Sequence, residues 1–303
     1  MNGKLGKKDY LLIVIIVSFV LFFMFGFLLG GTVMKSRVSA HYQGIIDEMN
    51  AENIRGVATY PETDFTQFYH GVLSPYLIFE KEYIQFRSHL QVSSTDIDLL
   101  AEASELKKLA QKTHEEMNGI TFDDQSPLLQ EAQKQYLIAM ESYEEALSTS
   151  FKGKLQDVKK RFTSLESKQQ AETASLRGQT LFYEAIMTWE TLQRPFLAQL
   201  TQQDWSNANF TTWKTWSVNQ KNYAIAAILE NKGLLSSYQP EDLTYHLDHY
   251  LRSATEQELT QYQLIDLILM YHKADAIVPG QFKAQRSTYY ADEILPLIPI
   301  FWK

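Results

Sequence analysis

The chain has 303 residues, with 28 Lys and Arg against 36 Asp and Glu, no Cys, and 45% apolar and 13% aromatic residues. Without Cys it is neither disulfide-stapled nor a thiolate zinc protein, 13 Gly and 8 Pro are too few for a collagen-like chain, and so many rings exclude a mostly disordered one. What remains is globular composition behind one exceptional segment near the start.

Leu11 to Met34, LLIVIIVSFVLFFMFGFLLGGTVM, is a run of 24 residues with no ionisable side chain. As a helix it reaches about 36 Å against a hydrocarbon core of about 30 Å, which predicts a transmembrane helix with some tilt. The competing reading is a cleavable signal peptide, because Val38-Ser39-Ala40 has small residues at a cleavage-like spacing. The run is longer than a signal core of roughly 7–15 residues, and Lys35 and Arg37 intervene, so the expectation is a retained signal-anchor. Lys4, Lys7 and Lys8 precede the span and only Lys35 and Arg37 follow it. Positive charge stays inside, so residues 1–10 are expected to be a short cytoplasmic N-terminus and the rest an extracytoplasmic domain of a single-pass cell-membrane protein. The first partner implied is the lipid bilayer, through residues 11–34. Gly26 and Gly30 form one GxxxG, the spacing that brings two membrane helices together in a homodimer; the plainer reading is that Gly is common in such helices.

Residues 35–60 read as a juxtamembrane helix or linker, and 61–303 as an α-helical soluble domain, with long helices over 61–193 and shorter ones over 195–303. The first stripe runs through Phe65, Phe68, Val72, Tyr76, Phe79, Tyr83, Phe86 and Leu90, at helical spacing, with Pro75 predicted to kink it. Ser93 to Asp96 offers N-caps for a helix carrying Ile97, Leu100, Leu106, Ala110 and Met117 and ending near Asn118-Gly119. Ser126 and Pro127 mark the start of a longer helix, whose apolar residues recur from Leu129 through Ala132, Tyr136, Met140, Tyr143, Leu147, Phe151, Leu155, Val158 and Phe162 to Leu165. The period is nearer 3.6 than 3.5, which favours a globular bundle over a coiled coil. Tyr136-Leu-Ile-Ala139 and Tyr143-Glu-Glu-Ala146 have the spacing of one tetratricopeptide helix, but no 34-residue recurrence supports a repeat.

Lys168 to Thr180 is poor in apolar residues and contains Gly178, so it reads as an exposed turn or overhanging helix end. Leu181 to Gln193 is a helix stopped by Pro195. Further helices are expected over Asn209 to Asn231 with Gly233 as terminator, Pro240 to Ser253, and Thr255 to Lys273. No segment alternates with a period of two, so the fold class is all-α: an N-terminal transmembrane helix, then an elongated multi-helix bundle with shorter C-terminal helices. Ile294 to Trp302 is apolar but broken by Pro296 and Pro299, and reads as a strap over the bundle, with a partner-docking peptide as the alternative.

Setting aside the first 40 residues leaves 23 basic and 35 acidic groups, a net charge of −12, which repels phosphate polymers and excludes nucleic acid as a natural partner. The basic run from Phe151 to Arg161 is the local exception and reads as a solvated helix face. Phosphate loops, GxGxxG, HExxH and GxSxG are all missing, and Ser104-Glu-Leu-Lys107 matches SxxK without its companion motifs. No cofactor is implied. Two groupings are candidate sites. Trp205, Phe210, Trp213 and Trp216 lie among Asn207, Asn209 and Thr211, where flat rings beside amides suit a glycan or peptide platform; the alternative is core packing. His246 and His249 are three apart on a helix, and His272 on the next helix would make a third metal ligand; the alternative is surface imidazoles on a polar face.

The functional expectation is a membrane-anchored helical domain that acts by binding an envelope protein or extracytoplasmic ligand, rather than an enzyme. An envelope hydrolase with a carboxylate acid hidden from sequence reading, or a scaffold facing the cytosol, are the alternatives. A pocket with convergent, strongly perturbed titratable groups would count heavily against the binding reading, and loss of turnover after one carboxylate substitution with folding intact would support the hydrolase.

Overall fold

The computed structural model describes residues 58–92, 96–122, 124–150, 155–255 and 263–302. These fall in the second of two units into which the chain divides, Ala58–Lys303. The expected span over 11–34, with Gly26 and Gly30, lies outside the described residues. Among those described, no helix is long and apolar enough to cross a membrane.

Every regular element of the described body is helical, with no strand among the described residues. In chain order these are α1 (Glu62–Phe68), α2 (Ser74–Val92), α3 (Asp96–Asn118), α4 (Pro127–Ser150), α5 (Leu155–Ser164), α6 (Glu166–Gln193), α7 (Gln202–Ser206), α8 (Phe210–Thr215), α9 (Val218–Lys232), α10 (Pro240–Ser253), α11 (Leu264–Ala274) and α12 (Gln281–Tyr289). A single π-turn, Tyr69–Leu73, joins α1 to α2. Pro75 has no N–H for the Gly71 carbonyl, and the chain widens one turn earlier, where the Ser74 N–H closes a five-residue ring on Tyr69 O. The expected kink at Pro75 is thus a π-turn just before it.

Neighbours in sequence are neighbours in space: α2 packs on α3, α3 on α4, α4 most extensively on α6, α6 on α9, α9 on α10, and α10 on α12. The stripe from Phe65 to Leu90 is buried throughout and stacks its rings on those of α4 and α6. Phe68 lies flat on Phe182, Tyr76 meets Tyr136 at 4.4 Å between centroids, and Tyr83 meets Tyr143 at the same spacing. Rings of this size bury large area with few rotamers, which is how a bundle of ordinary apolar content fills a wide core.

Several expectations are corrected. The buried stripe of α3 runs through Leu99, Ala103, Leu106, Ala110 and Met117, whereas Leu100 is 42% exposed. The helix expected over Leu129 to Leu165 is divided into α4 and α5, with residues 151–154 outside the described set. Lys168 to Thr180 is no exposed turn: it is the first half of α6, and Ala171, Ala174, Ser175, Gly178 and Thr180 are buried there. Small residues, not large apolar ones, let α6 approach α4 closely, and a Cβ on Gly178 would come within 3.1 Å of the Tyr136 ring. Asn209 to Asn231 is two helices, because Ser217 starts α9 with a reciprocal capping box to Gln220 and also donates to Glu190 at 2.7 Å. Of Thr255 to Lys273, the described part becomes helical at Leu264.

The predicted ends of α10, at Pro240 and Ser253, and the left-handed Gly233 that closes α9 are found as expected. The strap packs as well: Leu295, Ile298 and Phe301 are buried, Trp302 donates its indole N–H to Pro296 O, and the Arg286 guanidinium lies 3.3 Å from the Trp302 ring centroid.

Candidate functional site

Leu77, Glu80, Lys81, Ile84 and Gln85 recur at three- and four-residue steps on α2, so they share one face beside the buried aromatic stripe. That face forms one wall of a cleft of about 470 Å³. The other walls are the approach to α10 (Ser237, Tyr238, Gln239) with its first turn (Glu241, Asp242), then Pro279, Gly280 and Lys283 at the start of α12, and Ile300 of the strap. Leu77, Ile84, Pro279 and Ile300 make the walls largely apolar, and Lys81 and Lys283 are the more exposed charges of the lining.

Three carboxyls of the lining are almost fully buried, Glu80 at 6%, Glu241 at 4% and Asp242 at 3% exposed. Glu80 accepts from the Tyr76 hydroxyl at 2.9 Å, one helical turn before it, and from Gln239 Nε2 at 3.2 Å across the cleft. Gln239 in turn accepts from Gln179 Nε2 at 3.1 Å, so the turn before α10 is tied to both α2 and α6. Burial drives the Glu80 carboxyl up to about 7, although the two hydrogen bonds pull it back. Glu241 accepts from the Tyr183 hydroxyl of α6. Burial, then the neighbouring Asp242 charge, push Glu241 up to about 8 despite that bond. Asp242 is also raised by burial, but its two oxygens accept from the Gly280 and Phe282 N–H groups at 2.9 and 3.0 Å. It therefore acts as a strut, holding the start of α12 against α10. Desolvation keeps Tyr76 and Tyr183 well above the ordinary phenol range, so both are neutral donors at neutral pH.

The aromatic residues singled out from the sequence lie elsewhere, and they face inward. Trp205, Phe210, Trp213 and Trp216 are all buried, at most 8% exposed, whereas a stacking platform needs an open ring face. The Trp213 indole N–H donates to Asp248, which also accepts from Lys221 Nζ at 3.0 Å and the Tyr290 hydroxyl at 2.9 Å. His246 and His249 flank the Tyr245 ring, and His249 is exposed. His272 is drawn away to the Tyr238 hydroxyl at 3.2 Å. His246 and His249 share the Tyr245 ring while His272 sits against Tyr238, and no group of three metal-binding side chains occurs among the described residues. Burial lowers the pKa of His246 and of His272.

Glu80, Gln239 and Glu241 escaped the sequence reading for identifiable reasons. Glu241 and Asp242 follow Pro240 and look like ordinary acids of a first helical turn. Glu80 carried the one usable signal, an acid four residues after Tyr76 and adjacent to Phe79, on the border of an otherwise apolar stripe. No family model matches this chain, and neither a curated protein nor a solved structure matches it.

Proposed function

We propose that the chain is a single-pass membrane protein, N-terminus inside, whose extracytoplasmic helical body binds a small ligand in the cleft between α2, α10 and α12. The cleft carries this reading: an apolar-walled cavity of about 470 Å³ with a few buried polar groups has the size and make-up of small-molecule sites. The membrane part rests on the uncharged run from Leu11 to Met34 and on the lysines before it. Absence of Cys makes topology simple to test. The single variants Asn2→Cys and Ser206→Cys are exposed to a membrane-impermeant thiol reagent on intact cells; labelling at 206 alone supports the orientation, and labelling at 2 alone overturns it. Occupancy of the cleft is tested by native mass spectrometry of the full chain in native lipid particles. A small-molecule adduct on the wild type that is missing from Ile84→Trp, whose indole fills the cleft, supports the reading; an adduct on neither sinks it.

A second reading, acid catalysis by an envelope hydrolase, is favoured by the two carboxyls at about 7 and about 8, the range a general acid needs. Binding is preferred because the hydrogen-bond partners of both carboxyls are neutral phenols and an amide, with no activated nucleophile bonded to either. Turnover of an envelope polymer that is lost in Glu80→Gln, with helicity intact, would select the hydrolase.

A further inference from the structure

Of the three buried carboxyls of the cleft, Asp242 is taken up by backbone N–H groups, and Glu80 and Glu241 have hydrogen-bond donors but no counter-charge. Glu80 receives a phenol and an amide, and Glu241 receives a phenol. Neither is in an ion pair among the described residues, although Lys81 and Lys283 line the same cleft. Elsewhere in the body, the buried acids Asp248 and Glu190 have cations, and Asp64 accepts from the Ser126 hydroxyl at 2.7 Å. Asp248 holds Lys221 at 3.0 Å, Glu190 has Arg194 at 3.6 Å, and half-buried Glu172 is bracketed by Arg87 and Lys168 at 3.1 and 2.8 Å. Glu80 and Glu241 differ from Asp64 in lining a cavity. A carboxyl held by neutral donors in a low-dielectric wall gains most from a ligand that brings the missing positive charge, because charge-assisted hydrogen bonds are the strong ones.

The apolar walls decide what kind of cation this is. Leu77, Ile84, Pro279 and Ile300 offer nothing to the water shell of a metal ion, and no three ligating side chains converge among the described residues. They do suit the body of an organic molecule.

Resting on the cleft reading above, we propose that the ligand class is an organic ammonium on an apolar body, its charge met by the carboxyls of Glu80 and Glu241 and its body by Leu77, Ile84 and Ile300. Tyr76 and Tyr183 keep those carboxyls oriented, and Lys81 and Lys283 line the same cleft without pairing with either carboxyl.

The test is calorimetric titration of the full-length chain in lipid nanodiscs at pH 7.5 with three probes of one shape: 2-phenylethylamine, 2-phenylethanol and phenylacetate. Glu80→Gln/Glu241→Gln nanodiscs serve as the control for partition into lipid. The expected result is that the amine binds about tenfold or more tighter than the alcohol and the acid binds weakest. In the double variant the amine loses about tenfold while the alcohol is unchanged. Alcohol or acid binding the wild type as tightly as the amine overturns the ligand class and leaves the cleft reading standing. No binding by any of the three overturns both. Should the double variant lose its helical circular dichroism, the wild-type ranking alone decides, and the single Glu80→Gln variant, which retains an acceptor for Tyr76 or Gln239, repeats the comparison.

Discussion

The indole N–H of Trp213 donates to the Asp248 carboxylate at 2.8 Å, joining the short helix α8 to the middle of α10. The same carboxylate takes Lys221 from α9 and Tyr290 from the end of α12, and Lys221 also lies 5.4 Å from the Trp213 ring centroid. Four segments of the C-terminal third thus meet at one residue that is 9% exposed. Asp248→Ala leaves the buried Lys221 ammonium without its counter-charge and is expected to cost about 3–5 kcal/mol. Lys221→Met/Asp248→Leu removes both charges and should recover part of that loss. Urea denaturation of the full chain followed by circular dichroism measures both; equal losses in the single and double variants would contradict the account.

Stability should fall as pH rises through neutrality. Glu80 and Glu241 have folded values of about 7 and about 8, above the 4.5 of a solvated Glu, so the folded body holds protons that the unfolded chain has released. Their contribution is complete below about 4.5 and is lost as pH climbs through 7 and then 8. For Glu80 alone the loss is roughly 3 kcal/mol. Tm is therefore expected to drop between pH 5 and pH 9, and to drop less steeply in Glu80→Gln, whose amide cannot ionise. Thermal melts at pH 5, 7 and 9 read this directly, and a Tm rising across that range would be inconsistent with neutral buried carboxyls.

Gly178 lets α6 approach the ring of Tyr136, itself packed against Tyr76. In a free helix Gly→Ala would gain about 1 kcal/mol, but here the new methyl meets three ring atoms at 3.1 Å. Gly178→Ala is expected to forfeit that gain, and Gly178→Leu to cost about 3 kcal/mol or more by forcing the two helices apart. Tm of the two variants gives the order, and a stabilised Gly178→Leu would contradict the close approach.

Two helix ends provide a paired test of backbone strain. Gly233 closes α9 at φ +65, and an added methyl would meet nothing within 4 Å, so Gly233→Ala costs only the conformational penalty of about 1 kcal/mol. Asp275 closes α11 at φ 47 with a side chain that disfavours it. Asp275→Gly should be neutral to stabilising by up to about 1 kcal/mol. The opposite signs, read from denaturation midpoints, are the check.

Much of the described body was legible from residues alone. The all-helical class, the stripe from Phe65 to Leu90, the ends of α10 and the stop at Gly233 follow from local rules, because periodicity, an N1 proline and a left-handed glycine act within one or two turns of themselves. The uncharged run from Leu11 to Met34 belongs to the same category, a property of one segment and its flanking charges. Tertiary structure decided the rest. Small residues over Lys168 to Thr180 looked exposed because sequence hydrophobicity counts size, whereas close helix packing rewards the lack of it. The tryptophan cluster and the histidines drew attention as residue types, but their partners, Asp248 for Trp213 and Tyr238 for His272, lie 35 and 34 residues away. The cleft is less local still, since Gln239 reaches Glu80 across 159 residues of chain. A carboxyl is solvated or buried, paired or unpaired, only through what the fold brings beside it, and that is settled by long-range packing rather than by its neighbours in sequence.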